Sequence, residues 1–288
     1  MPNTIALSKN YISNLDEVYR MASVTADLTS DSIMSRAGAN ANEIIYPQIS
    51  VTGLGEYDRN SGYTTGAVDL KWKTAAFNYD RGTKIQVDVM DNEESRNLAF
   101  GMAGATLIRE KVAPEADAFT FATLAALENI STATGTIENG SQFLEALLTA
   151  WSKMDEDEVP QENRFLYATA SLLNSVMALD TTKSREILAK FAGKKPVPQA
   201  RFYTAIDLLD GKTEGEEAGH YKKADAGMDI NFMIVHKPAI MKFDKHTASD
   251  IILAKANPDA DADIVKYRKY GLVDGYVNKR AGIYMNSK

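Results

Sequence analysis

The sequence predicts an α+β protein with more than one structural unit, and three observations support this. Residues 43–90 contain runs in which apolar and polar side chains alternate with the period of two that is typical of β-strands. A long helical pattern follows from Asp91, with Leu98 and Met102 on roughly one face. Residues 140–240 then alternate short helical and strand patterns, which is typical of a compact α+β region.

The composition is that of an ordinary globular protein and excludes several functional classes. The net charge of −7 argues against tight binding to nucleic acid, which requires a basic face. The chain has no cysteine, so neither disulfides nor thiolate metal sites contribute. The first residues, MPNTIALSKNYISN, lack the basic region and apolar core of a signal peptide. No window approaches 18 uninterrupted apolar residues, so we expect no membrane span.

Residues 1–42 are predicted to form an N-terminal arm. Residues 1–12 are polar and without a regular pattern, whereas Asn14 and Glu17 have the spacing of a capping box that begins a helix. The apolar residues of this helix form one narrow stripe: Leu15, Val18, Tyr19 and Ala22. Such a stripe needs a surface to pack on. Residues 26–42 are small and polar, which predicts a linker.

Residues 43–90 are predicted to contain a long hairpin. Glu43–Thr52 is rich in β-forming residues, with Pro47 favouring an edge position. The four glycines of residues 53–66 predict a flexible tip, and Val68, Leu70 and Trp72 then alternate with charged residues. Because an isolated two-stranded ribbon is marginally stable in water, we expect it to contact an external partner.

A turn at Phe77–Gly82 and a strand through Thr83, Ile85, Val87 and Val89 are predicted next. Asp91 and Glu94 have capping-box spacing, so we expect the long helix to begin at Asp91. We expect Pro114 to kink or break it, because proline removes a hydrogen-bond donor.

The remaining elements follow from local patterns. A Thr/Gly-rich loop is predicted at Ser131–Gly140 and a charged, Gly-rich loop at residues 210–227. The predicted helices are Ser141–Met154, Ser171–Leu179 and Thr181–Phe191. The predicted strands are Arg164–Thr169, Gln199–Thr204, Asp229–His236, Ala239–Phe243, Ile264–Val277 and Gly282–Met285.

The motifs that resemble active sites fail their spacing tests, so we predict no catalytic, cofactor-binding or metal-binding residue. Gly211-Lys212-Thr213 resembles the end of a phosphate-binding loop, but Ile206 stands where that loop requires glycine. Asp259, Asp261 and Asp263 have the spacing of a calcium loop, but its glycine and its final glutamate are absent. The three histidines, His220, His236 and His246, form no metal-binding pair.

Two sets of residues are candidates for binding. The hairpin aromatics could stack on nucleic acid or contact another subunit, and low basic density favours the subunit contact: Tyr57, Tyr63, Trp72, Phe77 and Tyr79. We therefore predict inter-subunit contacts at Tyr57, Arg59, Tyr63 and Trp72. The second set is a basic cluster that could contact phosphate or form a solvated helix face, and we favour the solvated face. Its members are Lys183, Arg185, Lys190, Lys194 and Lys195.

The order of these parts, with residues 51–95 (VTGLGEYDRNSGYTTGAVDLKWKTAAFNYDRGTKIQVDVMDNEES) and 261–286 (DADIVKYRKYGLVDGYVNKRAGIYMN), resembles a known family. The chain resembles the major capsid proteins of tailed bacteriophages, which have the Hong Kong 97-type fold, and in particular those of phages of Gram-positive hosts. The resemblance covers nearly the whole chain and implies a structural role without enzymatic activity.

The resemblance implies a division of the chain and a set of partners. Residues 1–42 would be the N-terminal arm, 43–90 the extended hairpin called the E-loop, 91–139 the P-domain with its spine helix, 140–240 the A-domain, and 241–288 the P-domain return strands. Copies of the chain would form pentamers and hexamers of an icosahedral shell, with a separate scaffolding protein and a portal. The shell would contact packaged DNA weakly and without sequence specificity. It would assemble in the host cytoplasm and remain in the virion.

Two other functions stay open at this stage. An encapsulin-like compartment would have the same fold but would enclose protein cargo. A soluble enzyme with an unrecognised site is the alternative from a different class. The resemblance implies no cofactor, and the tip at 53–66 contains no lysine that could form the covalent crosslink of some family members.

Overall fold

The structure is a computed structural model that describes residues 22–30, 36–37, 42–94 and 98–288. It divides into two compact units. The hairpin unit is Asp31–Asn78, and the main unit contains Met1–Ser30 and Tyr79–Lys288. The helix predicted from Asn14 to Ala22 falls almost entirely outside the described residues.

The hairpin unit contains strands β1 (Arg36–Ala37), β2 (Glu43–Val51) and β3 (Val68–Ala76), in the order β1-β2-β3. β2 and β3 pair antiparallel without interruption from Glu43–Ala76 to Val51–Val68, which confirms the predicted hairpin. Among the described residues, β1 pairs with Ile44 and Ile45 only, so no described strand pairs with Pro47 on this edge of β2, as its missing N–H predicts.

The described part of the main unit contains three sheets. A five-stranded sheet has the order β5-β13-β10-β6-β7, a three-stranded sheet the order β11-β12-β4, and β8 pairs with β9. The strands are β4 (Tyr79–Asp88), β5 (Ser131–Thr134), β6 (Arg164–Thr169), β7 (Gly193–Val197), β8 (Ile206–Leu208), β9 (Tyr221–Lys223), β10 (Ile230–His236), β11 (Ile240–Ile252), β12 (Ala262–Gly275) and β13 (Ile283–Ser287).

The described helices are α1 (Val89–Glu94), α2 (Leu98–Leu107), α3 (Ala113–Ala125), α4 (Gly140–Glu156), α5 (Ala170–Ala178) and α6 (Thr182–Ala189). α1 begins two residues before the predicted Asp91, because the Asp88 carboxylate accepts a hydrogen bond of 2.9 Å from the Met90 N–H. A π-helical segment, Ile108–Val112, joins α2 to α3.

The helix does not end at Pro114, so of the predicted kink or break the break does not occur. Val112 and Ala113 both keep right-handed helical backbone angles, and α3 continues through Pro114 to Ala125. Proline is tolerated in the first turn of a helix because the N–H groups there have no helical partner. The wider π-helical turn directly before Pro114 makes room for the ring, so the helix changes type there and does not break.

Other local predictions were also wrong. The predicted turn at Phe77–Gly82 belongs largely to β4, which begins at Tyr79. The predicted loop at Ser131–Gly140 contains β5, which pairs in parallel with β13 from the far end of the chain. The predicted strand at Gln199–Thr204 begins instead with a 3₁₀ turn, and β7 precedes it. β4 and β5 both pair with strands near the far end of the chain, and pairing at such a distance leaves little local pattern.

The five-stranded sheet is covered on both faces. On one face, alternate residues of β6 and β10, including Leu166 and Phe232, pack with Phe143 and Leu147 of α4. On the opposite face, Tyr167 and Met233 pack with Phe121 and Leu124 of α3. β10 is buried throughout its length, as expected for a central strand. Strands β5 and β13 of this sheet come from outside residues 140–240, and the proposed domain division remains a prediction.

Candidate assembly surfaces

One face of the hairpin ribbon is entirely apolar over three consecutive cross-strand pairs. Pro47 is paired with Trp72, Ile49 with Leu70 and Val51 with Val68. Residues directly opposite each other in a pair of strands point to the same side of the sheet. The five large side chains among them are 50% to 70% exposed. We call these six residues the ribbon face. Uncovered apolar area of this kind is typical of a protein–protein contact surface.

The opposite face of the ribbon is polar in the part nearer the tip, whereas Tyr46 and Ala75, further from the tip on this face, are buried. Gln48 is paired with Lys71 and Ser50 with Asp69, and all four are at least partly exposed. The Lys71 ammonium lies 2.6 Å from the Asp69 carboxylate on the solvent side. The ribbon is therefore amphipathic, with one face suited to water and the other to an apolar partner.

The tip at 53–66 has more internal order than its glycines predict. Asp58 and Gly62 exchange two backbone hydrogen bonds, and the Asp58 carboxylate accepts a third from the Asn60 N–H at 2.7 Å. Gly62 has a φ of +80°, which favours glycine. The rings of Tyr57 and Tyr63 pack with centroids 4.8 Å apart. The tip is thus a small turn that presents Arg59 at its apex.

The four residues predicted to contact other subunits fall into two places. Tyr57, Arg59 and Tyr63 lie together on the tip, exposed to solvent. Trp72 lies on the ribbon face, further from the tip than the Val51–Val68 pair. The periodicity of β3 indicated its half of the ribbon face, but the matching half on β2 could only be found from the register.

A buried ionic cluster holds residues 22–30 against the rest of the main unit. Asp117 of α3 is fully buried, and its carboxylate accepts hydrogen bonds from Ser23 Oγ, the Val24 N–H, and both the N–H and the hydroxyl of Thr25, at 2.7 to 3.1 Å. Arg201 Nη1 lies 3.2 Å from the same carboxylate. Residues 26–42 are therefore not wholly a linker, since Leu28 is also fully buried in the core.

Lys242 of β11 completes this cluster from the opposite side. Its buried ammonium donates to the carbonyl oxygen of Thr25 at 2.9 Å and to the Thr25 hydroxyl at 2.6 Å. Burial, together with the positive charge of Lys269, lowers the pKa of Lys242 to about 8 despite the attraction of Asp117. We call Asp117, Lys242, Arg201 and Thr25 the anchor cluster.

The lowered pKa of Lys242 predicts that the protein becomes more stable as the pH rises above 8. The unfolded chain keeps Lys242 protonated up to its ordinary pKa near 10.5, so over this range it binds more protons than the folded chain. We expect the free energy of unfolding to rise by about 2 kcal/mol between pH 7.5 and pH 9.5, measured by urea denaturation. Lys242→Met should remove most of that rise, and an unchanged slope in this variant would contradict the assignment.

A second buried carboxylate on α3 fixes the position of the loop between β8 and β9. Arg81 donates to Glu115 at 2.7 Å and also to the carbonyl oxygens of Leu209 and His220, at the base of the loop. Burial by itself would raise the pKa of Glu115, but the His220 imidazole, whose Nδ1 lies 3.5 Å from the carboxylate, and the hydrogen bond from Arg81 hold it below its usual value. These residues line a cleft of about 720 Å³ between β4, the helices and the loop.

The motif that resembles the end of a phosphate-binding loop has a structural role. The Asp210 carboxylate accepts hydrogen bonds from the N–H groups of Lys212 and Thr213 and from the Thr213 hydroxyl, which closes the turn and lowers the pKa of Asp210 to about 2. Gly211-Lys212-Thr213 is therefore a capped turn. Among the described residues, no three acids or histidines are grouped as a metal site would require.

The predicted basic cluster is divided among local contacts. Lys195 pairs with Asp27 at 2.8 Å, Arg185 pairs with Asp180 at 3.1 Å, and Lys194 donates to the Leu188 carbonyl. These contacts favour the solvated-face interpretation over a phosphate site. Among the described helices, none is long and apolar enough to cross a membrane.

Similarity to known proteins is found in structure and not in sequence. No family model and no curated protein matches the chain. A structure from Mycobacterium phage Che8 matches with a TM-score of 0.60 at 14% identity, over 92% of this chain and 90% of that one. The mature capsid of bacteriophage PhiM1 matches with a TM-score of 0.57 at 12% identity, over 85% and 82%. The chain has the Hong Kong 97-type capsid fold.

The capsid fold is not confined to these phage proteins. A virus-like particle from Pyrococcus furiosus matches with a TM-score of 0.58 at 8% identity, over 97% of this chain and 99% of that one. The predicted fold class is therefore confirmed, whereas the narrower likeness to phages of Gram-positive hosts stays a prediction.

Sequence reasoning missed both the anchor cluster and the buried pair of Glu115 with Arg81. Glu115 and Asp117 lie in the segment Ala113–Phe119, among alanines and apolar residues. Two acids two residues apart in an otherwise apolar helix cannot both face water, and this was the one available signal for buried charge. Their partners, Arg81, Arg201 and Lys242, stand in strands and turns without any shared local pattern.

Proposed function

We propose that the chain is a major capsid protein that self-assembles into the icosahedral head enclosing phage double-stranded DNA. The observation that carries the proposal is the exposed ribbon face on a chain with the capsid fold. A shell protein needs such a face, because every copy must bury part of its surface against other copies. The proposed role is structural, without catalysis.

The capsid fold also supports the proposed division of the chain. Residues 43–90 act as the E-loop, 91–139 as the P-domain with its spine helix, 140–240 as the A-domain, and 241–288 as the return strands, with 1–42 as the arm. Tyr57, Arg59, Tyr63 and Trp72 contact neighbouring subunits. The copies form pentamers and hexamers, helped by a separate scaffolding protein and a portal, and the finished shell is part of the virion.

Deleting residues 53–66 and joining the strands with a two-residue Asn-Gly turn tests this proposal. We expect the full chain, expressed in bacteria without its scaffolding protein, to yield shell-like particles, closed or irregular, in negative-stain micrographs. The deletion should yield folded subunits or small oligomers and no particles, because the tip cannot reach a neighbour. Circular dichroism checks the fold. Normal particles from the deletion variant would contradict the proposal. So would an untagged full chain that remains exclusively monomeric.

A compartment that encloses protein instead of DNA is the second candidate. It is favoured by the match to the Pyrococcus furiosus virus-like particle, which covers nearly all of both chains. The two functions can be distinguished by what the particles contain. Particles isolated from infected or lysogenic cells should contain nuclease-protected DNA of uniform length in the first case, and a single co-purifying protein in the second.

A further inference from the structure

The exposed face of the three-stranded sheet carries two lysines directly opposite each other. In the register of β4, β12 and β11, Lys84 is paired with Lys266, and Lys266 is paired with Asp250. The three residues form one row across the sheet and are all exposed. Like charges directly opposite each other destabilise a pair of strands, so the Lys84–Lys266 pair has a cost within the subunit, which Asp250 opposite Lys266 offsets in part.

The row differs from its neighbour on the same face. One step along the sheet, Arg268 makes two hydrogen bonds to Asp80, at 2.9 and 2.7 Å. Gly82 lies opposite Arg268, and a side chain at this position would come within 3.3 Å of the Arg268 Cβ. Throughout the described chain, by contrast, no ion pair or side-chain hydrogen bond engages Lys84, Lys266 or Asp250.

The hairpin tip carries the complementary charges. Glu56 and Arg59 are exposed, and neither forms an ion pair or a side-chain hydrogen bond with any part of the described chain. The row thus offers two positive charges and one negative charge. The tip offers Glu56, Asp58 and Arg59, which are two negative charges and one positive charge.

We infer that the tip of one copy docks on the row Lys84–Lys266–Asp250 of a neighbouring copy. In this contact Glu56 and Asp58 face Lys84 and Lys266, and Arg59 faces Asp250. The inference rests on the proposed self-assembly and deepens it, because it names the surface that receives the tip. The ribbon face supplies apolar contact area, and the ionic row sets the position of the tip, since opposite charges fix register more than they add affinity.

A second copy fits this row better than nucleic acid does. Each copy carries a net charge of −7, so a polyanion is repelled by the subunit as a whole. Asp80 and Asp250 lie on the same face as the lysines, which leaves too little basic density to follow a phosphate backbone. Binding of duplex DNA to the isolated subunit, lost in the lysine variants, is the result expected if nucleic acid is the occupant instead.

Reversing the charges on each side of the contact tests the inference. We expect Lys84→Glu with Lys266→Glu to lower the yield of particles at least tenfold, because the row then repels Glu56 and Asp58. Glu56→Lys with Asp58→Asn should cause a similar loss, and the asparagine oxygen can still accept the Asn60 N–H that closes the tip turn. The chain that carries all four substitutions should recover at least half of the lost yield, since the charges are complementary again.

A matched control separates a local effect from a change in net charge. Lys183→Glu with Lys222→Glu has the same charge change, at two exposed lysines outside the row. We expect particles at the normal yield from this control. Normal particles from the Lys84/Lys266 variant would overturn the inference. The inference would also be overturned if each double variant were folded but defective in assembly and the four-fold variant recovered no particles.

Zero-length crosslinking gives a second readout that does not depend on substitutions. A carbodiimide applied to oligomers of mixed ¹⁵N-labelled and unlabelled chains should join Glu56 to Lys84 or Lys266 between copies, identified by mass spectrometry. Particles that lack this link would overturn the docking site and leave the shell function standing. A wild-type chain that forms no oligomer at all would overturn the proposed function itself.

Discussion

Aspartate at Ile49 and Leu70 is expected to abolish particle formation while leaving the subunit folded. The two side chains are paired across the ribbon and more than half exposed, so their replacement removes no core contact. In the assembled shell, however, they would be buried. Losing two apolar side chains from an interface costs about 4 kcal/mol per subunit, and desolvating two carboxylates adds to this. That cost is roughly a thousandfold in the equilibrium constant of one contact.

The amphipathic ribbon supplies its own control. Aspartate at Gln48 and Ser50 adds the same charge to the polar face, one residue away from Ile49 along β2. We expect this variant to form particles, counted by electron microscopy and by sedimentation. Equal loss of particles in both variants would show that charge on the hairpin matters and that the ribbon face does not.

How much of the fold could be predicted depends on how local its signals are. The ribbon strands, α4 and β6 were predicted nearly to the residue, because period-two alternation and an amphipathic helical stripe are properties of contiguous sequence. β5 was missed, because its four residues, Ser131–Thr134, become a strand only by pairing with β13 about 150 residues later. Pairing at such a distance has no local pattern.

The assembly surfaces show the same limit. Tyr57, Arg59 and Tyr63 were predicted as contact residues from composition alone, and they do lie together on the tip, although their contacts stay a proposal. Lys84 and Lys266 were not singled out, because each follows an ordinary alternating pattern in its own strand. Only the register of β4 with β12 places the two ammonium groups opposite each other.

Asp117→Ala is expected to be the most destabilising single substitution among those considered. The fully buried carboxylate accepts four hydrogen bonds from residues 23–25 and pairs with Arg201, so its loss leaves buried N–H and hydroxyl donors without an acceptor. It also leaves the buried ammonium of Lys242 without its strongest attraction. We expect the free energy of unfolding to fall by about 3 to 5 kcal/mol, measured by urea denaturation. Glu110→Ala, at an exposed acid in the adjacent π-helical segment, should change it by less than about 0.5 kcal/mol.

The two halves of the anchor cluster should show strong coupling. Lys242→Met removes the buried charge that Asp117 attracts, so the double variant should be less destabilised than the sum of the two single variants. Both groups bind Thr25, and we therefore expect a coupling energy of about 1 to 2 kcal/mol. Additive effects would show that Asp117 acts through its hydrogen bonds alone. Strong coupling would establish that residues 22–30 are held against the main unit by one ionic cluster.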